Sequence, residues 1–440
     1  MSKVTVFETV NEQAAGIDVG AKEIFVSVDG AEAVSFETFT SGYLQCIEYL
    51  QQRTVKRVAM EATGVYWMCL YTMLEDQGIK VCLVNPKETK QVKGRKTDVK
   101  DCRWIQKLFA AGLLRESYIP EGKYMELRQL IRERLDIIEM GSTYVNKMQK
   151  CLELMNIKLK EVISQIHGSS GIKILKAIIK GNREPACLLG LCDPRIIKNK
   201  SVQVLKSLEG KYNDTYMFML AQNMQMWELH EQQVIETDHQ IQVLLGQLCR
   251  GKEPVEINSK PKRIRHHEPK IKNLPGMLVQ LQGVNLSSIS GLNDYTVLRL
   301  IGETGTDMSR FPSAKHFESW CGLAPKSHQS GKMKKRIKGS SCNKAGQIFK
   351  ECAQGLLNSK YIAIGCFMRK LRAKKDSAIA IKAGARKLAG AYYNGLTKGL
   401  DYVEQGVKKY EEQIKQKEIE TLKRLAKKHN LKIAENQAAA

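Results

Sequence analysis

Ala15-Gly16-Ile17-Asp18-Val19 is a short apolar run that carries one acidic residue, and the turn Gly20-Ala21-Lys22 follows it. A short apolar run bounded by turn residues is typical of a buried strand. Two further strands are predicted directly after it, over residues 23–28 and 33–39. Because short turns join the three, they indicate an antiparallel meander that begins with the Asp18 strand.

Strands and helices alternate after this meander. Strands are predicted over residues 57–61 and 80–84, and helices over residues 43–52, 65–77 and 97–111, with Thr97 as the N-cap of the last. The resulting order, βββαβαβα, is that of an RNase H-like (RuvC-like) α/β domain, which we assign to residues 1–120.

The pattern then changes to a helical one. Apolar residues recur at alternating spacings of three and four from Tyr124 to Ile166, and only Arg134 and Gly141 interrupt the series. A second series with a spacing of seven runs from Leu220 to Leu248. We therefore predict a helical coiled-coil region over residues 121–250, whose helices pair within the chain or between subunits.

The remaining chain divides by composition. Residues 251–275 are basic and contain prolines, which indicates a mobile linker. A mostly helical domain is predicted over residues 276–410, and residues 411–440 read as a charged helical tail that ends in a disordered alanine run.

The charge balance indicates the partner. The chain has 70 Lys and Arg against 46 Asp and Glu, a formal net charge of +24, and nucleic acid is the commonest polyanion that shares such a surplus. An anionic membrane surface is the weaker alternative, because no basic amphipathic anchor is evident. No apolar run reaches the roughly 18 residues of a membrane span.

Residues 1–9 do not resemble a signal peptide. The 12 cysteines are scattered, and no pair has the C-x-x-C spacing. They are interpreted as reduced thiols of a cytosolic protein, so the expected compartment is the cytoplasm, at the nucleoid of a prokaryote.

Four acidic residues form a candidate metal site. Asp18 lies in the first strand and Glu61 closes the fourth, while Asp98 and Asp101, three residues apart, share one face of a helix. Singly, each is equally explained as a turn or capping residue. Together they are the carboxylates from separate elements that two-metal phosphoryl transfer needs, and oxygen ligands suit Mg²⁺ or Mn²⁺. The sequence predicts these four as metal ligands and catalytic residues.

These residues belong to short motifs that recur toward the C-terminus. On them the chain resembles the DEDD (IS110) family of insertion-sequence transposases, over about two-thirds of its length. The motifs are Gly16-Ile17-Asp18-Val19, Met60-Glu61-Ala62-Thr63-Gly64-Val65-Tyr66-Trp67, Lys96-Thr97-Asp98-Val99-Lys100-Asp101, Gly302-Glu303-Thr304-Gly305, Arg310-Phe311-Pro312, Gly322-Leu323-Ala324-Pro325 and Gln329-Ser330-Gly331.

The resemblance implies a RuvC-like domain that binds magnesium through the four acidic residues. It further implies a coiled coil, a helical transposase domain with a nucleophilic serine and, as in some members, a structured guide RNA. Such a protein excises and inserts its own DNA element. Two features depart from the family: Leu281-Gln282-Gly283-Val284-Asn285 stands where a Gly-x-Gly hairpin is common, and the basic segment before it is longer.

Ser330 is the candidate nucleophile, because the resemblance through Gly322-Leu323-Ala324-Pro325 places the family's serine there. Ser327 and the pair Ser340-Ser341 are its rivals. Five cations follow Ser330 closely and are predicted to contact nucleic-acid phosphates, although a solvated surface run is the alternative. They are Lys332, Lys334, Lys335, Arg336 and Lys338.

The expected partners are the DNA of the element ends and target, a guide RNA, and further copies of the chain in a dimer or tetramer, since recombination joins two duplexes. Two other functions remain open. A RuvC-type Holliday-junction or structure-specific endonuclease would use the same acidic set with water as the nucleophile, but it needs no basic serine-bearing domain. A non-catalytic nucleic-acid scaffold is disfavoured, because four carboxylates near DNA repel it unless metal is bound.

Overall fold

The computed structural model of the chain describes residues 9–89, 98–120, 122–257, 267–325, 327–330, 333–336, 342–359 and 361–431. At residues 87, 88, 98–100, 327–330, 333–336, 406, 409, 410 and 414 it describes the backbone alone. The chain divides into two compact units, Met1–Ile119 and Pro120–Ala440.

The first unit contains a mixed sheet and the helices that connect its strands. Its elements are β1 (Ala14–Val19), β2 (Glu23–Val28), β3 (Val34–Glu37), α1 (Thr40–Gln52), β4 (Arg57–Glu61), α2 (Trp67–Asp76), β5 (Lys80–Val84), α3 (Pro86–Thr89) and α4 (Asp98–Ala110). The predicted βββαβαβα order is confirmed, with the one-turn helix α3 as an unpredicted addition. Thr97, the predicted N-cap of the last helix, lies outside the described residues.

The five strands of the first unit lie in the order β3-β2-β1-β4-β5. The pairs β1–β2 and β2–β3 are antiparallel, as predicted for a meander, and β1–β4 and β4–β5 are parallel. Parallel neighbours require a crossover connection, and α1 and α2 supply the two that this sheet needs. A mixed sheet of this order is consistent with an RNase H-like domain.

The second unit is mostly helical. Its elements are α5 (Lys123–Leu154), α6 (Leu159–Val162), α7 (Ser169–Ile179), α8 (Pro185–Leu189), α9 (Pro194–Leu208), α10 (Asp214–Leu248), α11 (Leu274–Gln282), a 3₁₀ helix (Leu286–Ser288), α12 (Asp294–Thr304), α13 (Ala314–Trp320), β6 (Ser327–Ser330), β7 (Met333–Arg336), α14 (Lys344–Leu356), α15 (Ala363–Lys374), α16 (Ser377–Lys398) and α17 (Leu400–Lys428).

The long helices α5 and α10 pack against each other within the chain. The predicted apolar seam is longer than the helix, because α5 ends at Leu154 and Asn156 has a left-handed φ of 55°. Leu159 and Val162 continue the spacing in the separate helix α6, where both are buried. Met148, Leu152, Leu159 and Val162 share one core, but the chain between Leu154 and Leu159 does not stay helical.

Arg134 interrupts the seam because it forms a buried ion pair. Its side chain is 1% exposed, and its Nε donates to Oδ1 of Asp238 on α10 at 2.5 Å. Arg134 Nη1 also donates to the hydroxyl of Tyr295 on α12, and the backbone N–H of Lys270 donates to Oδ2 of Asp238. This group therefore ties α5, α10, α12 and the segment before α11 together.

Replacing Arg134 with methionine is expected to lower the free energy of unfolding by about 3–5 kcal/mol, because Asp238 would remain charged, buried and without its guanidinium. The double variant Arg134→Met/Asp238→Leu should recover part of that loss and leave about 1–3 kcal/mol, because the N–H of Lys270 would then be buried without an acceptor. Urea denaturation measures the free energy of unfolding of both variants. Lys158→Met, which removes a half-exposed ion pair with Glu153, is the control and should cost under about 1 kcal/mol. A loss at Arg134 as small as the control's would contradict the prediction.

Both ends of the predicted basic linker, residues 251–275, are hydrogen-bonded. Asn273 Nδ2 donates to the carbonyl oxygen of Val255, and Gln280 Nε2 donates to that of Lys252. Residues 258–266, which carry most of the cations of that segment, lie outside the described residues.

Two features of the C-terminal region differ from the sequence prediction. A hairpin, β6–β7, interrupts the predicted helical domain, and α17 continues through the predicted boundary at residue 410. In the part of the chain that the structure describes, no helix is long and apolar enough to cross a membrane.

Candidate active site

Asp18 and Glu61 lie side by side at the ends of two neighbouring strands. The parallel pairing of β1 with β4 places Ile17 opposite Met60, and each acidic residue is the next one along its strand. Both side chains are partly exposed, whereas Ile17 and Met60 are fully buried. Carboxyl ends of adjacent parallel strands are the edge at which α/β sheets bind ligands.

Glu61 is oriented by the short helix α3. The hydroxyl of Thr89 donates to Oε2 of Glu61 at 2.7 Å, and Thr89 itself is 8% exposed. α3 follows β5 directly, after Asn85, so the strand next to β4 delivers this hydrogen bond. Sequence patterns did not indicate Thr89, because its partner lies 28 residues earlier.

Helix α4 brings the other two acidic positions to the same sheet. A methyl group at Gly16 would overlap the carbonyl oxygen of Cys102 and the backbone nitrogen of Gln106, so glycine allows the helix to lie directly on β1. Asp98 is the first residue of α4, and Asp101, partly exposed, is one turn further. The side chain of Asp98 lies outside the described part of the structure.

The donor set fits a hard divalent cation in its chemistry. Burial raises the pKa of the neighbouring Cys102 thiol to about 11, and the charge of Asp18 adds to the rise. The carboxylate oxygens of the acidic residues are the ligands that Mg²⁺ and Mn²⁺ prefer. Among the side chains that the structure describes, which exclude Asp98, no three His, Cys, Asp or Glu residues are grouped closely enough to hold a metal ion.

Ser330 lies in the second unit, at the end of β6. The hairpin register pairs Ser330 with Met333 and His328 with Lys335. Lys334, Lys335 and Arg336 lie on β7, and Ser327 begins β6. Lys332, Lys338, Ser340 and Ser341 lie outside the described residues, and the side chains of both strands are not described.

The base of this hairpin is attached to the core of the second unit. Asn343 Nδ2 donates to the carbonyl oxygen of Trp320, and its Oδ1 accepts from the backbone N–H of Gly346. Cys321, Gly322 and Leu323, just before the hairpin, are buried. Both ends of the segment that carries Ser330 are therefore fixed next to α13 and α14.

The motif Gly302-Glu303-Thr304-Gly305 has a structural role within the second unit. Glu303 is 9% exposed and accepts two hydrogen bonds of 2.9 Å from Arg132, while Arg128 donates to the backbone carbonyl of Glu303 at 2.9 Å. Both arginines lie on α5. The motif thus attaches the C-terminal end of α12 to α5. The one sign of this role in the sequence is the spacing of the two arginines, which are four residues apart.

The described geometry and the charge surplus are consistent with an enzyme that acts on nucleic-acid strands. Two family models identify it further. Residues 15–157 match the model of the DEDD transposases of the IS110 type, and residues 284–362 match the one described as transposase IS116/IS110/IS902 family. The chain belongs to the IS110 family of transposases. No curated protein matches the chain in a sequence comparison.

Proposed function

We propose that this transposase cuts and rejoins the DNA of an insertion sequence through a divalent-metal site at Asp18, Glu61, Asp98 and Asp101 and a serine nucleophile, Ser330. The observation that carries the proposal is that Asp18 and Glu61 lie on adjacent parallel strands, β1 and β4, and that α4, which carries Asp98 and Asp101, packs on β1 at Gly16. A two-metal site needs carboxylates from separate parts of the sequence, and these three elements supply them.

The four carboxylates would hold Mg²⁺ or Mn²⁺, which supplies charge stabilisation at the phosphate that is attacked. The protein's own contribution is orientation. Thr89 holds one oxygen of Glu61, and the close contact at Gly16 fixes α4 relative to β1. The first turn of α4 also suits negative charge, because the helix dipole favours it there.

Ser330 would attack phosphorus with its Oγ after losing its proton. A serine–phosphate ester forms as the bond between phosphorus and one DNA oxygen breaks, and that oxygen leaves with a proton as a hydroxyl group. Because the ester stores the energy of the broken bond, a second DNA end can displace the serine without an external energy source. The serine must lose its proton before it attacks, because its neutral hydroxyl is a weak nucleophile.

The cations around Ser330 would position the DNA. Lys334, Lys335 and Arg336 on β7, with Lys332 and Lys338 beside it, would contact phosphates without reading the sequence.

We further propose that α5 and α10 form the coiled coil of residues 121–250. The basic linker follows over residues 251–275, the transposase domain over 276–410 and the tail over 411–440. Two or four copies of the chain would act together on the element ends and the target, with a structured guide RNA.

A strand-linkage assay tests the function against its rival, the junction endonuclease. The full-length protein is incubated with DNA that carries the element ends, with Mg²⁺ or with a chelator, and denatured by detergent. Transposition by a serine nucleophile predicts protein-linked DNA in the presence of metal and joined product after a second end is added. Free ends without linked protein would instead support hydrolysis by water. Equal cleavage with the chelator would reject the metal site.

A further inference from the structure

Residues 158–212, here called the helical insert, lie between the paired helices α5 and α10 and outside both family matches. The insert comprises α6 to α9. It is part of the folded second unit, because one core combines residues of the insert with the adjoining ends of α5 and α10. The members of this core include Cys151, Leu152, Ile174, Leu175, Leu188, Val204, Leu208, Leu220 and Trp227.

The helical insert is more basic than the rest of the chain. It has 11 Lys and Arg against 4 Asp and Glu, whereas the matched residues 15–157 have 20 against 19. The acidic-site region therefore contributes almost none of the net charge of +24. Net positive charge on a folded insert in a DNA enzyme needs a polyanionic partner to offset its self-repulsion.

Helices α8 and α9 are joined by a tight turn over residues 190–193, which begins with Gly190. Asp193 is the N-cap of α9 and accepts from the backbone N–H of Arg195 at 2.9 Å, and Pro194 occupies the first helical position. The backbone N–H of Asp193 donates to Ser170 on α7. A short helix, a tight turn with glycine and a longer helix are the parts of a helix-turn-helix DNA-binding motif.

The outer face of α9 combines cations with base-reading side chains. Val204 and Leu208 face the core, while Arg195, Asn199 and Lys206 are exposed. Lys198 is also exposed, and Val202 is 63% exposed in the middle of this face. None of these three cations forms an ion pair with a carboxylate among the described residues.

Arg195 and Asn199 are four residues apart, as are Val202 and Lys206, so each pair lies on one face of its own part of α9, which kinks at Lys200. In DNA recognition, Arg and Lys contact backbone phosphates, Asn reads adenine, and an apolar side chain contacts the methyl group of thymine.

We infer that α9 is a recognition helix that enters the major groove of duplex DNA. That groove is about 12 Å wide and admits a helix, whereas the major groove of duplex RNA is too deep and narrow. DNA is therefore the partner that fits, and this contact would be separate from guide-RNA binding. The inference needs neither the acidic site nor Ser330, so it can fail or hold independently of the proposed chemistry.

The test compares two triple variants in the full-length Ser330→Ala protein, which removes any contribution from cleavage. Arg195→Gln/Lys198→Gln/Lys206→Gln alters α9, and Lys417→Gln/Lys423→Gln/Lys427→Gln removes the same charge from exposed positions on α17. Binding of a duplex DNA is measured by fluorescence anisotropy between about 50 and 200 mM salt. The slope of log affinity against log salt should fall by about 2–3 for the α9 variant, at roughly 0.9 per lost phosphate contact, and less for the control.

A second variant separates base reading from charge. Asn199→Ala/Val202→Ala should keep the salt slope but change which sequences are selected from a pool of random duplexes. Circular dichroism checks that every variant is folded, which the exposure of these residues leads us to expect. The assignment would be overturned if the α9 and α17 variants had equal salt slopes, or if the α9 variant lost as much affinity for duplex RNA as for duplex DNA. It would also be overturned if the second variant selected the same sequences as the parent.

Discussion

Ser330→Ala protein is expected to form no covalent adduct with DNA, while its binding of DNA stays within roughly tenfold of the parent, since one hydroxyl hydrogen bond contributes roughly 0.5–1.5 kcal/mol. The loss should be complete, because alanine has no oxygen to form the phosphate ester. The measurement is to trap cleaved DNA on the protein, digest both and locate the modified residue by mass spectrometry.

Ser327→Ala is the matched control, because Ser327 lies at the other end of the same strand. It should form the adduct at the parental rate. If Ser330→Ala still forms the adduct, the nucleophile is another residue, and Ser327, Ser340 and Ser341 are the next to examine. If the parent cleaves DNA and no adduct forms, water is the nucleophile and the junction endonuclease becomes the better function.

Asp18→Asn is expected to reduce strand cleavage by more than about 100-fold. Replacing a residue that merely supports a metal ligand typically lowers metal affinity or activity 10–100-fold, so the loss of a ligand itself should lower activity by more than that range. Asn keeps the size of the side chain and removes the charge that a divalent ion needs. Glu61→Gln, Asp98→Asn and Asp101→Asn should have effects of the same order, measured on labelled DNA with Mg²⁺ or Mn²⁺, while DNA affinity changes little.

Asp76→Asn serves as the control for this prediction, because Asp76 is exposed at the end of α2 in the same unit. Its cleavage rate should equal that of the parent. Parental activity in any of the four acidic variants, or cleavage of DNA by the parent with all divalent metal removed, would contradict the metal site.

The strands of the first unit could be predicted closely from the sequence. β4 and β5 have the predicted bounds, and α4 differs from its prediction by one residue at each end. These elements are short and carry their own turn residues, so local patterns are sufficient to place them. Helix α3 was not predicted, since four residues hold too little periodicity to detect.

The end of α5 shows where periodicity misleads. Leu159 and Val162 fit the same spacing as the residues of α5, but a left-handed residue at Asn156 separates them from the helix. Apolar spacing reports that residues face a common core, and it does not report whether the chain stays helical between them. The short helix α8 and the tight turn that joins it to α9 were not predicted either.

The sequence by itself determined the acidic residues, the elements that carry them and the family, because strand and helix periods and short motifs are local properties of the chain. Only the tertiary structure decided how distant charged residues pair. Arg134 and Asp238 are 104 residues apart, and Arg132 and Glu303 are 171 apart. Arg134 interrupts an apolar series, but the local pattern does not identify its partner or that of Arg132, since the path of the whole chain determines which opposite charge lies within hydrogen-bonding distance when water is excluded.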